Sequence, residues 1–157
     1  MIVRKLSLPL HLNGTVLDTE TTGLPHQNAE VVTLGIVSGN EVLILQRTKG
    51  DRPIDWQRYL KSLPRPFYAF NKEFEEKMLG IKVDRELQSR RFERKRDAIS
   101  IAGLIDPFNG NGVHTLDAWR KHVKEGDRAS LTQIMEHNEV DLIHEVCLAI
   151  ARWREKK

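Results

Sequence analysis

The 157-residue chain has a single cysteine, Cys147, so no intramolecular disulfide can form, and a reducing, cytoplasmic setting is expected. No apolar run approaches the length of a membrane span, which excludes a bilayer-crossing helix at the level of sequence. Met1 to Leu12 carries Arg4 and Lys5 ahead of a mildly apolar patch. That patch is short, contains Pro9 and lacks a small-residue cleavage site, so no signal peptide is expected. Internal repeats and low-complexity linkers are absent too. With 39% hydrophobic and 30% charged residues, the composition is that of a globular protein, and the length suits one domain, residues 1–157, with a substantial core.

The formal net charge is +3, a mild bias toward an anionic partner. The charge is concentrated. Arg85, Arg90, Arg91, Arg94, Lys95 and Arg96 face only Glu86 and Glu93 in the same stretch. Such a block is either a solvated surface or a phosphate-contacting patch.

The most specific stretch is Leu17-Asp18-Thr19-Glu20-Thr21-Thr22-Gly23-Leu24, which follows the apolar run Gly14 to Leu17. The run predicts a buried strand, and two carboxylates spaced i, i+2 on a strand share one face. Acids so close and so little solvated need pairing or a metal ion. A divalent-metal site at a strand end, with Asp18 and Glu20 as oxygen ligands, is the direct reading. The threonines and Gly23 supply hydroxyl partners and an exit turn.

Further along, Val31 to Val37 predicts a second strand, Ser38-Gly39-Asn40 a hairpin turn, and Glu41 to Gln46 a third strand. Asp55 is placed to cap a short helix through Leu60. Phe67 to Phe70 predicts a buried strand, and Asn71 a cap for a helix carrying Phe74 and Met78. Helical pattern returns at Asp97 to Leu104. A loop follows at Asp106 to Gly112, then a helix at Thr115 to Val123. Ser130 and Gln133 have capping-box spacing, so a long helix is expected from there to about Trp153. On it Met135, Val140, Leu142, Ile143, Val146, Cys147 and Ile150 fall on one apolar arc, which makes Cys147 a core thiol. Ile134, His137, Asp141 and Glu145 fall on the opposite side. The expected fold class is α/β, a mixed central sheet covered by helices.

Three acidic elements stand out: Asp18 with Glu20, an acid after the Phe67–Phe70 strand, and Asp141 with His137 one turn before it. With these residues the chain resembles the DEDD superfamily of 3′–5′ exonucleases, which share the ribonuclease H-like fold. It is most similar to the small stand-alone branch, over nearly the whole chain. The second motif of that family, Asn-x-x-Phe-Asp, is matched by Asn71-Lys72-Glu73-Phe74-Glu75, with Glu75 in place of aspartate and Glu73 and Glu76 flanking it. The third motif is matched by His137 to Asp141, here with the histidine four residues before the aspartate rather than five.

The resemblance implies two Mg²⁺ or Mn²⁺ ions, Asp18 bridging them and Glu20, Glu75 and Asp141 completing their shells. It implies His137 as the acceptor of a proton from water. It also implies contacts to a strand end through Thr21, Thr22, Gly23, Leu24, Asn71 and Phe74, and, with the basic block, through Arg90, Arg91, Arg94 and Arg96. The partner would be single-stranded DNA or RNA, DNA favoured, with no membrane. In a chain this small, a homo-oligomer could complete the groove. A nucleic-acid-binding module with a degenerate site, and an endonuclease of the same fold, are the competing readings. Asp97 and Asp106 are read as caps, Glu145 as a solvated or supporting acid, and His11, His26, His114, His122 and His144 as residues without ligand spacing.

Overall fold

A computed structural model describes residues 1–88 and 105–154. The helix expected at Asp97–Leu104 and the arginines Arg90, Arg91, Arg94 and Arg96 lie outside the described residues. The fold is α/β. A four-stranded mixed sheet has the order β2–β1–β3–β4, where β1 is Ile2–Thr21, β2 Val31–Gln46, β3 Phe67–Ala69 and β4 Arg85–Glu86. β1 is antiparallel to β2 and parallel to β3, which in turn is parallel to β4. The helices are α1 (Gln57–Leu60), α2 (Lys72–Leu79), α3 (His114–Glu125) and α4 (Arg128–Arg154). Among the described residues no helix is long and apolar enough to cross a membrane.

β1 starts far earlier than the apolar run at Gly14 implies. Its first part, Ile2 to Ser7, pairs with Gln46 to Glu41, and its second, Thr15 to Thr21, with Ser38 to Val31. Between Ser7↔Glu41 and Leu12↔Gly39, β1 advances five residues while β2 advances two. The ladder is thus interrupted around Pro9, which has no N–H to give it. β2 doubles back at the Ser38-Gly39-Asn40 turn. Gly39 has φ +61°, the Arg47 N–H donates to the Val32 carbonyl at 2.8 Å, and the Thr33 hydroxyl bonds the Gln46 side chain. Fully extended, residues 32 and 47 would stand about 50 Å apart.

Alternation along β1 sorts the two faces. Val16 packs with Val37, Ile44, Leu142 and Val146, beneath α4. Leu17 packs with Trp56, Leu60, Phe67 and Leu79, beneath α1 and α2. A third cluster joins Val32, Phe108, Trp119, Leu131 and Ile134, where α3 and α4 meet the sheet. The helices therefore flank the sheet on both faces.

Several helix ends and faces differ from the sequence reading. Asn71 does cap α2, accepting the Phe74 N–H at 3.1 Å. At α1 the cap position is Trp56, with no side-chain cap bond, so Asp55 does not fill that role. α4 starts at Arg128 rather than Ser130. Its opening turn is held by Asp127, which accepts from the Ala129 N–H at 3.0 Å and the Ser130 hydroxyl at 2.8 Å. Ser130 is thereby inside the helix and the box with Gln133 is not made.

The polar side assigned to α4 is also buried. Ile134, His137, Asp141 and Glu145 are all 3% exposed or less, since α4 lies between the sheet and the α3 layer. The solvent stripe instead runs through Thr132, Gln133, Glu136 and Cys147. Cys147 is exposed and not a core thiol.

Candidate metal centre

The acids of β1 stand where that strand ends beside its parallel neighbour β3, at the carboxyl edge of the sheet. A cleft of about 470 Å³ opens there. Its walls include Asp18, Glu20, Glu75, His137 and Asp141, together with Thr21, Gly23, Leu24, Asn71 and Phe74. Thr22 turns away: its hydroxyl accepts the Glu30 N–H at 2.9 Å. The Thr21 hydroxyl closes the exit turn by donating to the Gly23 carbonyl at 2.7 Å.

Asp18 and Glu20 share the face that meets α4. The Asn138 amide donates to an Asp18 carboxylate oxygen at 2.8 Å. The Thr115 hydroxyl, in the first turn of α3, donates to Glu20 Oε2 at 2.8 Å. A carboxylate beside the N-terminal end of a twelve-residue helix also gains from the helix dipole. On α4, the i, i+4 pair His137 and Asp141 faces the same point: His137 Nε2 lies 3.6 Å from Asp141 Oδ2 and 3.8 Å from Glu20 Oε1. One donor atom from each of Glu20, His137 and Asp141 falls within 4.8 Å of the others, and all three residues are buried. Two carboxylates and an imidazole converging like this form a donor set suited to a divalent cation.

Glu75 reaches the cleft from the other face of β1. The Thr19 hydroxyl donates to it at 2.8 Å and the Thr19 N–H at 3.4 Å. Asp18 and Glu75 therefore line the same cleft as the cluster without belonging to its 4.8 Å grouping.

Residues 106–112 do more than connect elements. The Asp106 carboxylate accepts the backbone N–H groups of Phe108 and Gly110, holding a turn of this loop rather than the helix edge expected of it. It also meets His137 Nδ1 at 2.8 Å. The Phe108 ring stacks obliquely on His137, centroids 5.1 Å apart. Gly112 passes so near that a Cβ there would lie 3.7 Å from His137 Nε2. Sequence reasoning missed Asp106, Thr115 and Asn138 as partners of the site. Only Asn138 carried a signal, its position beside His137.

One other sequence assignment changes on the structure. Glu145 is fully buried and so is not a solvated acid. His122 is buried too, bonded to the Lys49 N–H at 3.1 Å and to the Asp127 carbonyl at 3.0 Å. Compared with protein-family models, with curated proteins and with solved structures, the chain has no match in any of the three.

Proposed function

We propose that the protein is a metal-dependent 3′–5′ exonuclease of ribonuclease H-like fold that hydrolyses single-stranded nucleic acid, DNA in preference to RNA. The observation that carries this reading is the convergence of Glu20, His137 and Asp141 within 4.8 Å at the bottom of an open cleft. Asp18 stands beside them in that cleft, at the end of β1. Asp18, Glu20, Glu75 and Asp141 would hold Mg²⁺ or Mn²⁺, two ions in all. A divalent cation at this place supplies charge neutralisation for the phosphorane-like transition state and a hydroxide at neutral pH.

The chain's own contributions are orientation of the acids and an apolar rim to the cleft. Asn138 from α4 fixes the carboxylate of Asp18, and Thr115 from α3 that of Glu20. Leu24 and Val113, respectively 51% and 73% exposed, stand at the mouth of the cleft. Phe74 and Leu116 line it further. Exposed apolar side chains beside an acidic floor suit the flat face of a terminal base, with the phosphodiester directed toward the acids. Activity in the cytoplasm fits a lone thiol, Cys147, that stands exposed.

The test is a single strand labelled at either end, as DNA and as RNA, with Mg²⁺, Mn²⁺ or chelator. Stepwise loss from the 3′ end that requires the metal is the expected outcome. The Thr19–Glu75 bond favours one second reading, a nucleic-acid-binding module whose second acid has turned to a structural use. Tight oligonucleotide binding without turnover in either metal would select it.

A further inference from the structure

We propose that His137 is itself a ligand of the bound cation, oriented by Asp106, and that the centre therefore selects Mn²⁺ over Mg²⁺. This rests on the metal-centre reading above and assigns one residue of it a different task from carrying a proton.

The tautomer follows from the hydrogen bonds. The Asp106 carboxylate already accepts two backbone N–H groups, so it faces His137 as an acceptor. The 2.8 Å contact then requires His137 Nδ1 to donate. In the neutral ring this leaves the Nε2 lone pair aimed at Glu20 and Asp141. A carboxylate behind an imidazole whose other nitrogen faces a metal is the recurrent supporting arrangement of protein metal sites. It fixes the ring and raises its basicity.

The spacing agrees. Donor atoms about 2.1 Å from one ion stand about 3–4 Å from each other. His137 Nε2 is 3.6 Å from Asp141 Oδ2 and 3.8 Å from Glu20 Oε1. The ring has little freedom to leave. It is 2% exposed, covered by Phe108 on one side, with Gly112 close to Nε2.

An imidazole ligand changes which ion is preferred. Mg²⁺ is hard and favours oxygen donors and its own water, whereas Mn²⁺ and later transition ions accept nitrogen. One nitrogen among carboxylates shifts the balance toward Mn²⁺.

The experiment is Mn²⁺ and Mg²⁺ titration of metal-free protein by calorimetry, with pulsed electron paramagnetic resonance of the Mn²⁺-loaded sample. Expected in the unsubstituted protein are tighter Mn²⁺ than Mg²⁺ binding and a ¹⁴N coupling from a coordinated imidazole. His137→Ala should abolish the coupling and weaken Mn²⁺ about tenfold or more while moving Mg²⁺ little. Asp106→Ala should weaken Mn²⁺ about 10- to 100-fold and Mg²⁺ far less, whereas a merely structural role would lower both alike. The spectrum of the unsubstituted protein decides the matter even if a variant fails to fold. Absence of ¹⁴N coupling, with Mn²⁺ binding lost in Glu20→Gln and Asp141→Asn, overturns the inference and leaves the nuclease reading standing. Failure of the unsubstituted protein to bind either ion overturns both.

Discussion

Asn138 and Asp18 are joined by a 2.8 Å bond between helix α4 and strand β1. Asn138 is fully buried, and its amide also approaches the Asp18 carbonyl at 3.4 Å. The bond ties the helix that carries His137 and Asp141 to the strand that carries Asp18 and Glu20. Asn138→Leu keeps the volume and removes the donor. It is expected to lower hydrolysis about 10- to 100-fold, the usual effect of losing a group that supports a metal ligand. Circular dichroism and a rate measurement on the same sample check that activity falls with the fold retained.

Gly35 makes that bond possible. A Cβ at position 35 would stand 2.2 Å from Asn138 Oδ1 and 2.6 Å from a Leu142 methyl, both fully buried. Gly35→Ala is therefore expected to push α4 from the sheet, costing about 1–3 kcal/mol as overpacked cores do. Denaturant unfolding measures the cost, and activity should fall with it because the two halves of the centre move apart.

Glu75 and Asp18 should separate in a ranking. Asp18 stands at the end of β1 on the face of Glu20, whereas Glu75 is engaged by Thr19 on the other face. Asp18→Asn is expected to abolish turnover without unfolding, and Glu75→Gln to reduce it less. Equal losses in turnover assays would make Glu75 as essential a ligand as Asp18 and contradict this ranking. Thr19→Val, which takes a hydroxyl from a buried acid, should cost about 1–3 kcal/mol of stability.

How much of this was legible in sequence depends on what kind of residue carried the signal. The end of β1 announces itself through the apolar run Gly14 to Leu17 and β2 through its β-branched residues, whereas the first half of β1, around Pro9, carries no such run. The Asp18–Glu20 pair stands out through its position after Leu17. α4 misleads. His137, Asp141 and Glu145 are charged or polar at helical spacing, the pattern of a solvated face, yet they are buried because they point into the site or the core. Periodicity measures polarity and cannot tell a wet stripe from a buried functional one, so Cys147 was drawn inward in exchange. The Asp106 and Thr115 contacts were beyond reach for another reason. They form across 31 and 95 positions of chain, and no local pattern encodes which carboxylate a loop or a helix start will meet.

Acid should act on the fold through Asp84. The Arg65 guanidinium at 2.9 Å and the Phe67 N–H hold its carboxyl below the usual carboxylate value. A carboxyl more acidic in the folded state stabilises it above the unfolded pKa, about 3.9. That contribution is lost as pH falls through the lower folded value. Asp84→Asn is expected to lower Tm modestly at neutral pH, since the pair is partly exposed, and the gap to the unsubstituted protein should close as pH falls below the unfolded value and through the lower folded one. A gap that stays constant with pH would contradict this role.

The central claim is that the convergence of Glu20, His137 and Asp141 at the end of β1 is a metal-dependent hydrolytic centre. Turnover of a 5′-labelled single strand by chelator-treated protein, before and after Mn²⁺ is restored, tests it most directly, with Asp141→Asn alongside. The account predicts no products without metal, a ladder shortening from the 3′ end once Mn²⁺ returns, and no ladder from folded Asp141→Asn. Cleavage that persists in chelator, or an undiminished ladder from Asp141→Asn, would contradict it.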